Sequence, residues 1–304
     1  MKKTYHLCLS AGEEILFRNL EDYHRGFNCF ALALHKTDST GLVEAFMSTH
    51  VHIMIQTVNP KNFMYAFRQP YSKYFNYKYH RQGKLGEMTH FTMEVVGYNH
   101  MLAAASYALR NPVHHGVSPT PYAYHHSSAN AIFRAEMGKP PQEDLLPEKM
   151  FYRYIGRTAS YPSTYKMHKS GVFLRESVLD IPQVENLYVT PRSFNYYMTR
   201  RSSEEWEQEQ EKDGNGHPSF NLSNIEKTIS YQNIEDMLRF ESGKADYRQI
   251  SDIELCKIAD NMIRIEFGGK SVYQLTRQEK IIIAEKLHRT LHINAMRIRR
   301  CLIL

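Results

Sequence analysis

The chain has 304 residues, of which 42% are hydrophobic and 23% charged, with a formal net charge of +6. This is material for one large or two ordinary globular domains with a real core, and it excludes a disordered or fibrous chain. No apolar run is long enough to span a bilayer, and Met1-Lys2-Lys3 leads into a strand pattern rather than a signal segment, so a cytoplasmic location without a membrane partner is expected.

Cys8, Cys29, Cys256 and Cys301 lie far apart with no CxxC pair, so neither a zinc ribbon nor a disulfide framework is indicated. The composition stands out in its 21 tyrosines against a single tryptophan. Tyrosine set among lysine and arginine suits stacking on unpaired bases, and the positive balance permits an acidic partner.

From Thr4 to Ser10, Tyr5, Leu7 and Leu9 alternate with His6, Cys8 and Ser10, a half-buried strand. A helix follows, with Leu16, Leu20, Tyr23, Phe27, Phe30 and Leu34 at helical spacing and Asn19 as its cap. Leu42 to Met47 forms a second strand, and the short Ser48-Thr49 connection forces a hairpin with the strand that begins at His50. Asn59-Pro60 opens another helix carrying Phe63 and Phe67. Thr89 to Val96 is the next strand, and Asn99 caps a helix running from His100 to about Arg110, where Pro112 stops it. This order predicts an α+β fold: a ferredoxin-like antiparallel sheet with helices on one face.

Residues 1–136 form the expected main domain. An irregular tyrosine- and proline-rich segment with an acidic linker covers 137–218, and a mostly helical extension covers 219–304. Capping patterns at 233–236, 251–254 and 276–279 mark its helices. The final two helices span about 277–288 and 294–302, and the second carries Arg297, Arg299 and Arg300, either a DNA-binding helix-turn-helix-like face or a solvated basic one.

The chemistry concentrates in the His50-Val51-His52 strand. Alternation places His50, His52, Met54 and Gln56 on one face and Val51, Ile53 and Ile55 on the other. Two imidazoles at i and i+2 can share a divalent ion, although the same pair also suits a purely structural strand. On the helix from His100, Ala104, Tyr107 and Asn111 share a face. If that face lies over the histidines, the Asn111 amide oxygen completes a three-ligand site and the small alanine leaves room for substrate. Tyr107 is then placed to attack a phosphodiester that the ion polarises. Between residues 68 and 84, Arg68, Lys73, Lys78, Arg81 and Lys84 alternate with aromatics including Tyr74, the recipe for a single-strand groove, while part of those aromatics belongs to the core.

His50-Val51-His52 after a two-residue turn, YSKYFNYKYHRQGKL at 71–85, YALRNPVHHG at 107–116 and SPTPYAYHHSS at 118–128 stand in fixed order. Together they resemble the REP-associated tyrosine transposases of the HUH single-tyrosine transposase superfamily. The resemblance covers roughly residues 1–135. It implies that His50, His52 and Asn111 bind magnesium or manganese, and that Tyr107 is the nucleophile of a DNA nicking and rejoining reaction through a 5′-phosphotyrosine. It also implies single-stranded or hairpin DNA as substrate, acted on by a monomer or homodimer. The sequence departs from the family pattern at Gly86-Glu87-Met88-Thr89-His90 and at His114-His115, where basic or small residues are usual. Two alternatives stand beside it: a catalytically quiet DNA-hairpin or RNA-binding regulator, and a metal-dependent phosphodiesterase that uses water.

Overall fold

The computed structural model describes residues 1–199 and 250–304, apart from Glu13, Met88 and Glu143. The acidic stretch at 203–218, the capping pattern at 233–236 and the start of the C-terminal extension at 219 lie outside the described residues.

The first elements are β1 (Lys3–Ser10), α1 (Leu20–Lys36), β2 (Thr40–Phe46), β3 (His50–Thr57), α2 (Pro60–Tyr79), β4 (Phe91–Glu94) and α3 (Tyr98–His114). The strands form one antiparallel sheet in the order β2-β3-β1-β4, the ferredoxin-like arrangement. Each strand-helix-strand unit skips one place in the sheet, and the skipped place is filled by a strand from the other unit.

The β-branched face of β3 builds the main core. Val51, Ile53 and Ile55 pair across the sheet with Leu9, Leu7 and Tyr5. On that side Phe46 meets Phe17, Phe27, Phe30 and Phe67, which brings α1 and α2 onto one face. Each buried phenylalanine of this cluster contributes about 1.5–3 kcal/mol from apolar burial. The sheet's other face, carrying His6, Cys8, His50, His52 and Met54, receives α3. The helices therefore divide between the two faces, with α1 and α2 on the side the sequence pattern marked.

Helix α3 also differs from expectation at both ends. Its N-cap is Gly97, at φ +95°, rather than Asn99. Pro112 does not stop it, because so close to the C-terminus a proline forfeits a single backbone bond and the last turn still closes through His115 N to Asn111 O at 3.0 Å. The consequence is functional, since Asn111 stays helical and remains one turn beyond Tyr107.

Helices α4 (Tyr152–Ile155), α5 (Arg175–Val178), α6 (Ile181–Tyr188) and α7 (Pro191–Thr199) punctuate the tyrosine- and proline-rich segment. Phe151, Met167, Phe173, Tyr188 and Phe194 join the same core as the sheet, so residues 137–199 extend the main unit rather than hang from it. Helices α8 (Asp252–Glu266), α9 (Arg277–Leu291) and α10 (Ala295–Leu302) enclose a second core around Leu255, Ile263, Ile283 and Ile298. This helical unit docks on the main unit through Ile15, through Arg18 to Asp260 at 2.6 Å, and through Ser48 to Asp252 at 2.6 Å. No helix among the described residues is long and apolar enough to cross a membrane.

Candidate active site

The turn before β3 is held from two sides, which fixes where the strand begins. Met47 N donates to His50 O at 2.8 Å, and the loop after β1 donates from Ala11 N to Thr49 O at 2.8 Å and from Leu16 N to Ser48 O at 2.7 Å. His50 and His52 then project from a rigid, doubly paired strand toward α3, with 3% and 0% of their surfaces exposed.

Ala103, Ala104, Ala105 and Ala108, all buried, let α3 settle close to the sheet. Asn111 Oδ1 lies 2.7 Å from His50 Nε2. The Tyr107 ring stands perpendicular to the His52 ring with centroids 5.3 Å apart, and the two strand imidazoles are themselves 5.1 Å apart. His50 and His52 thus come together with Tyr107 and Asn111, more than fifty residues further along the chain.

The hydrogen bonds restrict the tautomer of His50. Asn111 Oδ1 accepts from the ring Nε2–H, so Nδ1 is left to accept from the Thr49 hydroxyl at 3.0 Å. Burial pushes the His50 imidazole down to about 4, with the Asn111 bond opposing and Arg300 and His114 adding to the depression. Burial also drives His52 well below its ordinary range, reinforced by His50, His6, His115 and His114. Both rings are neutral at physiological pH, the state in which a ring nitrogen can ligate a cation.

No family model matches the sequence, and no curated protein does. Among solved structures, one that matches is a REP-associated tyrosine transposase bound to a REP hairpin. It is 12% identical over 46% of this chain and 84% of that one, with a TM-score of 0.37.

The donor set itself tests whether a cation fits. Among the described residues there is no group of three or more His, Cys, Asp or Glu arranged to hold a metal. Here the set is two imidazoles and one carboxamide. His52 Nε2 and Asn111 Nδ2 are buried with no hydrogen-bond partner among the described residues, and a buried polar atom without a partner is costly. A divalent ion taking His50 Nε2, His52 Nε2 and Asn111 Oδ1 would satisfy the first of these, with the His50 proton shifted from Nε2 to Nδ1, where it donates to the Thr49 hydroxyl. Nitrogen-rich donors suit manganese better than magnesium.

Three further residues belong to this layer, none of which the sequence reading assigned to the site. His6 of β1, fully buried, places Nε2 3.1 Å from His52 Nδ1. The His115 ring lies 4.8 Å from His50, and His114 lies 6.2 Å from Tyr107. The strand alternation puts His6 opposite Leu7, but the β1–β3 register that seats it diagonally to His52 depends on loop geometry the sequence does not spell out. His114 and His115 follow Asn-Pro-Val directly, and only the continuation of α3 through Pro112 buries His115 and sets the exposed His114 beside the Tyr107 ring.

The open approach expected from Ala104 is absent. Tyr107 is 4% exposed, because small residues on α3 draw the helix onto the sheet and the phenol is ringed by His6, His52 and His114.

The single-strand groove at 68–84 is also rearranged. Arg68 is buried and spends its guanidinium on the Leu85 and Gly86 carbonyls. Lys78 and Tyr74 converge on Asp22 at 2.8 and 2.9 Å, and Tyr79 donates to the same carboxylate at 2.7 Å. Arg81 pairs with Glu14 at 2.6 Å. These side chains hold the N-terminus of α1 and the loop after α2. Lys73, Tyr77 and Lys84 are the exposed members. In the C-terminal unit Arg297 is buried and paired with Asp252 at 2.8 Å, which makes it scaffold, whereas Arg299 is exposed and Arg300 half-buried beside the histidines.

Proposed function

We propose that this chain is a metal-dependent DNA strand-transfer enzyme that nicks and rejoins single-stranded or hairpin DNA through Tyr107. The observation that carries the proposal is the meeting of the Tyr107 ring with His52 at 5.3 Å beside the His50–Asn111 contact at 2.7 Å. A nucleophile of ordinary reactivity and a nitrogen-rich cation site have little reason to share one buried layer unless they act on one substrate. When bound, a divalent ion supplies Lewis-acid polarisation of a phosphodiester and stabilises charge on the transferring phosphoryl group.

The chain's own groups do the rest. The phenol loses its proton and its oxygen bonds to phosphorus, while the bond from phosphorus to the 3′-oxygen breaks. The 3′-oxygen leaves as a hydroxyl after taking a proton, and the 5′-phosphate remains on Tyr107. No phosphodiester is hydrolysed, so attack by a 3′-hydroxyl on the phosphotyrosine reverses the step without ATP. Because Tyr107 is enclosed, productive binding requires the His114-His115 end of α3 and the adjoining Arg300 segment to move aside. The exposed Lys73 is a cation of the 68–84 segment placed to meet the backbone phosphates of the strand.

The burial of Tyr107 favours a second reading, a nucleic-acid-binding module that does no chemistry. Incubating the protein and manganese with a pool of labelled hairpin and single-stranded DNA separates the two. Transfer of label to a tryptic peptide containing Tyr107 supports strand transfer. Retention of DNA with no label on protein, in the presence of bound metal, supports the binding module.

A further inference from the structure

We infer that Cys256 and Cys301 form a reversible oxidation site, in which a peroxide joins the two buried thiols as a disulfide between α8 and α10. The pair lies in the core of the helical unit, and its chemistry does not depend on strand transfer.

The two cysteines stand 45 positions apart in sequence, yet their sulfurs lie 3.4 Å from each other. Closing to a disulfide of about 2.0 Å asks for a shift of little more than an ångström. Both side chains are fully buried. A third group sets the pair apart from ordinary core packing: the guanidinium of Arg18, itself fully buried, enters from the main unit. Its Nη1 donates to Cys301 O at 2.8 Å, while Nη2 donates to Asp260 at 2.6 Å and reaches Cys301 Sγ at 3.9 Å. A cation so close in a dry setting favours thiolate over thiol. Cys301 is accordingly held below the ordinary thiol range, first by the hydrogen bond from Cys256 and then by Arg18, against the opposing effect of burial. The other three cysteines go the opposite way. Burial pushes Cys8 and Cys29 up, and the shared hydrogen bond does the same to Cys256.

These roles give the order of events. The Cys301 thiolate attacks one oxygen of hydrogen peroxide: a sulfur–oxygen bond forms, the oxygen–oxygen bond breaks, and the departing oxygen leaves as water after taking a proton. Cys301 is then a sulfenic acid. Cys256 gives up its proton and its sulfur bonds to Cys301 Sγ, while the sulfur–oxygen bond breaks and the second oxygen leaves as water. Two electrons thus pass from the sulfurs to the peroxide, and a dithiol reverses the change by exchange. Hydrogen peroxide, little larger than water, is an oxidant that a brief local opening of the helical unit admits. The product links α8 to α10 around the whole of α9, and the closed loop restricts the unfolded chain.

The test treats the reduced full chain with graded hydrogen peroxide, unfolds it in an alkylating agent and maps the tryptic peptides by mass spectrometry. The expected product is a linked pair of peptides carrying Cys256 and Cys301, from protein that runs as a monomer on a non-reducing gel, with Cys8 and Cys29 alkylated as free thiols. Free thiols at all four positions, or oxidation of Cys8 and Cys29 as fast as the pair, overturns the inference. The oxidised protein should melt about 5–10 °C above the reduced one, and dithiothreitol should remove the increment. An oxidised form that melts no higher sinks the stapling of α8 to α10. Cys256→Ser should stop Cys301 at the sulfenic acid, which dimedone captures, whereas Cys301→Ser should give no dimedone adduct. An adduct on Cys256 in the second variant overturns the choice of Cys301 as the attacking thiol. If a serine variant fails to fold by circular dichroism, the peptide map of the parent still decides.

Discussion

His50 Nε2 and Asn111 Oδ1, 2.7 Å apart, tie the third strand to the tyrosine helix. The contact seats the carboxamide one turn from the phenol of Tyr107 and ties both to an imidazole on the sheet. Asn111→Leu should therefore have two effects. It should destabilise the protein by about 1–3 kcal/mol, because His50 is left with a buried unsatisfied group. It should also lower Mn2+ affinity at least tenfold. Thermal melts with and without Mn2+ check both: the parent melts higher with the ion and the variant loses that increment.

The histidine layer makes stability depend on acid. His6 is pushed down to about 3 and His50 to about 4 by burial, with His100 acting on His6 and Arg300 and His114 on His50. His52 and His115 are driven well below their ordinary value, also chiefly by burial. In the unfolded chain these rings take protons near 6.5, whereas the folded protein refuses them until far lower. The unfolded state thus binds more protons between about 6.5 and 4, and folding stability falls as pH falls through that window. His6 and His50 each contribute on the order of a few kcal/mol. Chemical denaturation at pH 7.5 and pH 5 should show a large drop in midpoint, with a smaller drop in His50→Gln.

Asp22 is the hub of the polar cluster at the start of α1. It accepts from the Arg18 backbone at 2.9 Å, from Tyr74 at 2.9 Å, from Tyr79 at 2.7 Å and from Lys78 at 2.8 Å. Asp22→Ala leaves two phenols without their shared acceptor and Lys78 with Glu21, at 2.7 Å, as its remaining carboxylate, and should cost roughly 1–3 kcal/mol of stability. Urea midpoints measure it, and a loss below about 1 kcal/mol would be at odds with a shared buried acceptor.

The exposed cations divide from the buried ones in DNA binding. Lys73→Ala should weaken single-strand affinity and reduce the salt dependence by roughly one counterion, with stability unchanged. Arg68→Ala should do the reverse, lowering the melting point through loss of its bonds to the Leu85 and Gly86 carbonyls. Fluorescence anisotropy across a salt series separates the two behaviours.

Period and punctuation in the sequence foretold much of the fold. The alternation around Val51 and Ile53, the Asn19 and Asn59 caps and the short hairpin at Ser48 and Thr49 specify strand, helix and turn by local rules. Spacing also placed Tyr107 and Asn111 on one helical face. What stayed hidden is set by contacts distant in sequence. Pro112 was misleading because its cost depends on how near it sits to the helix end. Lys78 and Arg81 looked like free cations because Asp22 and Glu14, their partners, are more than fifty residues away. His6 needed the strand register, and the enclosure of Tyr107 needed the packing of four alanines.

A common ion held between strand and helix is the central claim, and anomalous diffraction at the manganese edge from crystals grown with Mn2+ tests it most directly. The account predicts a single strong peak bonded to His50 Nε2, His52 Nε2 and Asn111 Oδ1, next to the Tyr107 phenol. Full manganese occupancy elsewhere on the protein, with the His50–Asn111 hydrogen bond intact and no peak beside it, would contradict it.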